Sequence, residues 1–460
     1  MNYTDNKVTD INIAYIGGGS RLWAWRLMAD LALEGSMAGT IRLYDIDEKA
    51  AYDNEKYGNI LSQRAEAKGK WCYRTVKTLK EALTGVDFVI ISILPGTFRE
   101  MASDVHLPEK YGIYQSVGDT VGPGGLVRAL RTIPSYVEFA QKIREYSPHA
   151  WVINYTNPMT LCTRTLYEVY PEIKAFGCCH EVFGTQKLLA AMLSEMKLAE
   201  VNREEIKTNV LGINHFTWID KAYCQGIDLF PLYKEFASEY FEEGFRIPGD
   251  EAWDETPFKF AHRVKFDLFQ RYGLIAAAGD RHLAEFVPWY LKDPETVKRW
   301  KFNLTTVDYR IARLEKFNKQ RNRILNGQDK HELKPSGEEG VRQIKALVGL
   351  EDLVTNINFP NHGQMKDIPL GAIVETNAYL SNNSVQPVVA GGLPASIQGL
   401  ILRHVYNQET ILQAGLRQDQ DLALQAFVND PLVNISVADA RKLLGEMLWN
   451  TRSYLPGWKL

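Results

Sequence analysis

The chain has 460 residues, a formal net charge of −3 and 24% charged residues. Its length exceeds one small core and predicts about two domains. The near balance of charge gives no reason to expect nucleic acid or an anionic membrane surface as a partner.

The first ten residues are polar and acidic, with no basic start leading into an apolar stretch, and no run of about eighteen apolar residues occurs. A cytoplasmic protein is expected. Five cysteines, Cys72, Cys162, Cys178, Cys179 and Cys224, form no small-domain framework, so reduced thiols are the default. Cys72 and Cys162 read as buried.

An apolar strand at residues 13–16 breaks into Gly17-Gly18-Gly19-Ser20 and re-forms as a helix over 23–34. A second strand follows at 41–44 and closes on Asp45. Such a turn brings backbone N–H groups to a helix start, where a pyrophosphate can sit. The acid at the second strand end is placed to hold a ribose 2′-hydroxyl. A carboxylate there repels a 2′-phosphate, so NAD is expected over NADP. Leu22 stands where the full G-x-G-x-x-G pattern has glycine, and a plain strand–helix turn is the competing reading.

Residues 88–93 and 151–154 read as buried strands, with helical periodicity over 126–146 between them. Another strand ends at 174–177, and 185–194 reads as the next helix. This alternation predicts a doubly wound parallel sheet with helices on its faces. Ligands bind beyond the carboxyl ends of such strands. Strands at 206–211 and 216–222 then lead into aromatic-rich helices to residue 325. The polar segment 326–339 reads as a mobile loop, and strands at 372–379 and 385–389 precede helices to the C-terminus. The expected division is a dinucleotide-binding domain over 1–198 and a second α+β domain over 199–460, largely helical at its end.

Four constellations can carry chemistry. Gly177-Cys178-Cys179-His180, at a strand end, and Gly212-Ile213-Asn214-His215-Phe216-Thr217-Trp218, in a turn between strands, could bring one thiol and one imidazole together over one crevice. They are too few for structural zinc but suit a catalytic cation with open positions; a buried thiol and a hydrogen-bonded histidine are the plain alternative. Asn154-Tyr155-Thr156-Asn157-Pro158 offers amides for sugar hydroxyls, or simply an Asn-Pro turn. The glycine-rich run 116–125 reads as a ligand-covering loop. Asp280, Arg281, His282 and Glu285 crowd four ionisable groups into six residues, enough for an acid, a base and an anion anchor.

These segments, in this order behind the glycine turn, resemble glycoside hydrolase family 4 from Ile13 to Asn429, with Arg99 and Val374-Glu375-Thr376-Asn377 adding to the likeness. Residues 117–125, 177–184 and 279–282 resemble its α-galacturonidase branch. The resemblance implies a Rossmann-like first domain of the lactate/malate dehydrogenase-like superfamily and a homodimer or homotetramer. It implies NAD⁺ at Gly17, Gly18, Gly19, Ser20 and Asp45, Mn²⁺ or another divalent metal on Cys179 and His215, and substrate contacts from Arg99 and Asn157. The implied reaction oxidises the sugar at C3, removes the C2 proton with metal assistance, eliminates the C1 leaving group, adds water and reduces the ketone again.

Two departures stand out. His180 occupies a position where several family members have an acidic Asp, and their tyrosine base is missing near residue 280. Asp280 is therefore expected as the C2 base, with His180 or His282 assisting proton delivery. Arg281, Arg263 or Arg99 would pair with a uronate carboxylate. The expected activity is hydrolysis of terminal α-galacturonides. An α-glucuronidase or α-galactosidase of the same family, or an NAD-dependent 2-hydroxy-acid dehydrogenase, are the alternatives; only the last would release NADH.

Overall fold

The computed structural model describes residues 1–460. Seven strands from the first half share one sheet: β1 (Asn2–Thr4), β2 (Lys7–Ile16), β3 (Met37–Tyr44), β4 (Lys70–Thr75), β5 (Phe88–Ile91), β6 (Trp151–Asn154) and β7 (Lys174–Gly177). β2 to β7 run parallel in the order β4-β3-β2-β5-β6-β7, and β1 folds back antiparallel on β2. Every residue of β5 and β6 is buried, as expected of strands covered on both faces. Trp25, Tyr57 and Trp71 pack on one face, and Tyr136 and Phe139 of the helix Gly122–Tyr146 on the other. Strand order reverses between β2 and β5, which opens a crevice at their carboxyl ends.

β8 (Lys207–Ile213), β9 (Phe216–Cys224), β10 (Ile227–Asp228) and β11 (Ile275–Ala276) form a second, antiparallel sheet. β12 (Leu353–Pro360), β13 (Ile373–Ser381) and β14 (Ser384–Pro387) then return to the first sheet, where Asn358 of β12 pairs antiparallel with Gly177 of β7. The expected boundary at 198/199 falls just after the helix Glu181–Glu195, yet three strands from beyond it extend the first sheet. Local patterning cannot show this, because a strand's partner is chosen by tertiary contact. β4 and β12 carry polar residues that broke the apolar pattern. Cys72, expected to be buried, faces solvent on β4.

Two loop expectations change. The run 116–125 is largely buried rather than a cover, and the helix starts at Gly122. Gln115 ties it down, accepting from Gly124 N–H at 2.8 Å and donating to the Asp104 carbonyl at 2.8 Å. Residues 326–339, expected to be mobile, are pinned as a strap. His331 hydrogen-bonds Tyr57, Ser336 donates its N–H to Asp30 at 2.8 Å, and Glu338 meets Arg26 at 2.8 Å. All these anchors are distant in sequence. The helices Ala395–Arg417, Gln420–Asn429 and Val437–Asn450 complete the largest core around Phe216, Trp218 and Phe286. No helix is long and apolar enough to cross a membrane.

Candidate active site

The two-residue turn Asn214-His215 joins β8 to β9 and holds His215 at φ +64°, a conformation non-glycine residues adopt rarely. Its ring is buried, and Nδ1 lies 2.8 Å from the Thr120 hydroxyl, which leaves Nε2 free. His282 stacks on it at 3.7 Å between ring centroids. Asp119 completes a group whose potential ligand atoms all lie within 4.8 Å of one another. Burial, then His282, pushes the His215 imidazole down to about 3, and burial also lowers His282. Burial alone would raise Asp119, but the Arg128 guanidinium, first among the nearby charges, holds it well below the usual carboxylate range. Two neutral imidazoles and an ionised carboxylate make a donor set that fits a divalent cation such as Mn²⁺. Asn157 joins them: its amide donates to Asp119 at 3.3 Å, its carbonyl accepts from Arg128 at 3.1 Å, and its Oδ1 is buried without a partner.

Cys179 stands outside that triad. Burial, then Glu375 and Glu181, raises its thiol well above the ordinary range. Glu375 lies behind both the Cys179 and the His215 segments. It accepts from Asn356 at 2.7 Å and from Asn214 at 3.2 Å, and the same Asn356 amide reaches the Cys179 carbonyl at 3.4 Å. Burial pushes Glu375 up to about 7 despite these donors.

The nucleotide turn sits at the carboxyl end of β2. Gly17 has φ +88°, and a Cβ there would lie 2.0 Å from the Ser92 carbonyl oxygen, so only glycine fits. The Gly17 and Gly18 amides both donate to the Tyr44 carbonyl at 2.9 Å, and Ser20 N–H closes the turn on the Gly17 carbonyl at 2.8 Å. Gly19 N–H donates to Asp45 at 2.8 Å, which fixes the acid at the turn. Asn54, not foreseen from the sequence, holds the Gly18 and Ser20 carbonyls at 2.7 and 2.9 Å. The helix Trp23–Leu33 that follows has no side-chain cap. An uncapped helix start beside this turn fits a dinucleotide pyrophosphate.

Residues 12–195 match the profile of Family 4 glycosyl hydrolase, and residues 210–433 match the Family 4 glycosyl hydrolase C-terminal domain. The chain belongs to glycosyl hydrolase family 4. An α-galacturonidase of Thermoanaerobacterium saccharolyticum is 65% identical over 463 aligned positions, covering 100% of both chains. A crystal structure of lplD from Bacillus subtilis, described as a candidate glucosidase, is 54% identical with a TM-score of 0.92, covering 96% of this chain and 100% of that one. A 6-phospho-α-glucosidase from gut microorganisms, solved with NAD and Mn²⁺, is 22% identical with a TM-score of 0.81 over 98% of this chain and 100% of its own, a likeness of fold.

Within this family 4 hydrolase, the expectation for Asp280 as a base is corrected. Its carboxylate is fully buried and accepts from the Val264 and Lys265 amides at 3.2 Å each, capping the helix Arg263–Tyr272. Burial pushes it up to about 6 against the Lys265 ammonium beside it. Arg263 is likewise structural, donating to the Phe241 and Arg299 carbonyls and to Glu242. Arg99 is exposed on the first turn of Phe98–His106 and joins no cluster.

Glu181 is the carboxylate that sequence reasoning missed. Its Oε2 accepts from Gly279 N–H at 2.8 Å, while Oε1 lies 3.8 Å from His180 Nε2 and 3.9 Å from His282 Nε2. Burial alone would raise it, but His282 and His180 hold it near 2. His180 remains 43% exposed at the rim, 3.6 Å from Glu338 and 5.5 Å from the Trp23 ring. Arg281 is buried and stacks on Phe258.

Proposed function

We propose that this family 4 hydrolase is an α-galacturonidase that releases terminal galacturonic acid with NAD⁺ and a divalent cation, Mn²⁺ in the first instance. The whole-chain 65% identity to an α-galacturonidase carries the reading, and the buried guanidinium of Arg281 beside the carboxylate–imidazole triad supports an anionic sugar. In this reading residues 17–20 and Asp45 hold the dinucleotide. His215, with Asp119 as the carboxylate beside it, would hold the cation, and Cys179 would join them as the family resemblance implies, which leaves His282 free to take a proton. The two groups together would supply reversible hydride acceptance and Lewis acidity for neighbouring sugar oxygens.

The chain's own residues supply the remainder. Asn157 offers both donor and acceptor to sugar hydroxyls. With Asp280 committed to a helix cap, His282 takes its place as proton acceptor at C2, kept neutral by burial. Glu181, 3.9 Å away, then stabilises the imidazolium. His180, exposed at the rim, delivers a proton to the leaving oxygen, and Arg281 pairs with the C6 carboxylate. We further assign the protein to the cytoplasm, to a homodimer or homotetramer, and to the division at 198/199.

The test compares chromogenic α-galacturonide, α-glucuronide and α-galactoside, with and without NAD⁺, Mn²⁺ and reductant. Cleavage of the galacturonide that needs both additives, without net NADH, is expected. NADH formed in proportion to product would support a dehydrogenase instead. Cys179→Ser should lose metal-dependent turnover while retaining NAD⁺ binding; full activity in that variant would refute the cysteine's metal role.

A further inference from the structure

Two guanidiniums beside the triad have almost no protein partners. Arg281 is only 7% exposed, yet its side chain makes no hydrogen bond and no ion pair, and its Nε is buried without an acceptor. Arg310, on the first turn of the helix Val307–Leu325, donates once, to the Val117 carbonyl at 3.2 Å, and its buried Nε is also unpartnered. A buried donor without an acceptor is costly, and a buried charge more so. Both guanidiniums are held below their ordinary range, first by burial, and Arg281 further depresses Arg310.

The carboxylates nearby do not pair with either guanidinium. Asp119 is bonded to Asn157 and Thr120, and Glu285 Oε1 accepts from the Val117 and Gly118 amides at 2.7 and 2.8 Å, while its buried Oε2 meets no donor. Contacts also join the two segments that carry the pair. Phe258 underlies Arg281 at 5.0 Å and Arg313, one turn beyond Arg310, at 4.4 Å. Ser116 ties the two elements together: its hydroxyl donates to the Arg281 carbonyl, and its carbonyl accepts from Thr305 N–H at 2.9 Å, just before the helix that carries Arg310.

We propose that Arg310 acts with Arg281 as a two-guanidinium clamp for the C6 carboxylate of the terminal uronic acid, and that Arg310 is a specificity-determining residue for this enzyme. The clamp rests on the α-galacturonidase reading. Planar N–H forks from two sides satisfy both carboxylate oxygens and supply the acceptors that the protein withholds. A neutral hydroxymethyl group at C6 would leave the buried Arg281 charge and the half-buried Arg310 charge without an anionic partner, so discrimination comes from that penalty as much as from attraction. A sugar 6-phosphate carries the same kind of charge and is the second anion to compare.

The experiment uses the NAD⁺- and Mn²⁺-loaded protein. Dissociation constants for galacturonate, galactose and galactose 6-phosphate are measured by calorimetry for wild type, Arg310→Gln and Arg310→Lys, alongside kcat/KM on an aryl α-galacturonide. Arg310→Gln should weaken galacturonate and lower kcat/KM about 100-fold, the loss of charge-assisted hydrogen bonds. Its affinity for galactose should change less than threefold, and its NAD⁺ affinity should stay the same. Arg310→Lys should recover part of the loss, because charge returns without the fork. Galacturonate affinity within threefold of wild type in Arg310→Gln, or an equal loss for galactose, would overturn the clamp. If wild type neither binds nor cleaves the galacturonide, and instead binds the 6-phosphate in an Arg310-dependent way, the α-galacturonidase reading fails and an anion clamp of different specificity remains.

Discussion

Glu375→Gln is expected to weaken Mn²⁺ binding while leaving NAD⁺ binding unchanged. Glu375 is 1% exposed on β13 and touches no proposed ligand side chain through a hydrogen bond. It acts through two amides. Asn214, held at 3.2 Å, immediately precedes His215 in the turn, and Asn356, held at 2.7 Å, also reaches the Cys179 carbonyl. One carboxylate thus orients both segments that carry the proposed ligands. Glutamine keeps the volume but turns one oxygen into an NH₂ group, which faces an amide donor and breaks one of the two pairs. Losing a group that orients metal ligands weakens metal binding about 10–100-fold, roughly 1.4–2.7 kcal/mol. Mn²⁺ titration followed by electron paramagnetic resonance reads the affinity, with NAD⁺ binding by fluorescence as the control for folding. A Mn²⁺ dissociation constant within twofold of wild type would refute the claim that this carboxylate sets the ligand geometry.

Asp280→Asn should cost about 1–2 kcal/mol of stability, the worth of a helix cap, and keep turnover within tenfold of wild type. A thousandfold loss of turnover at unchanged Tm would return Asp280 to the role of base. Glu285 is raised from 4.5 to about 7, chiefly by burial and against the Val117 and Gly118 amides. Its native form therefore holds a proton that the unfolded chain releases above pH 4.5. Its stabilising contribution is complete below that pH and disappears as pH rises through 7, by at most about 3 kcal/mol. Glu285→Gln, which mimics the protonated acid, should flatten the denaturant-measured stability between pH 4.5 and 7, and an unchanged slope would contradict the assignment.

The parallel sheet was legible because β2, β5, β6 and β7 are apolar runs that stop at polar or glycine-rich segments. β12 was not, because Asn356 and Asn358 serve the crevice rather than the core and interrupt its pattern. The same limit applies to the site. His215, Asn157 and His282 stood in short, chemically crowded motifs, and the fold brings them to Asp119. Asp280 stood in the most crowded motif of all, yet its oxygens serve helix amides sixteen and fifteen residues earlier in the chain. Glu181 could have been noticed beside Cys179 and His180, since three potential ligands or proton carriers in a row are rare. Arg310 had no such signal: it lies in an ordinary basic helix, and contacts distant in sequence, of Thr305 with Ser116 and of Val307 with His106, bring it to the crevice.

The most direct test of the central claim is the release of galacturonic acid from a terminal α-galacturonide by protein stripped of both nucleotide and metal. Activity that returns only when NAD⁺ and Mn²⁺ are supplied together, with no NADH accumulating over many turnovers, is the predicted result. Undiminished cleavage by the stripped protein, or one NADH formed for every sugar released, would contradict it.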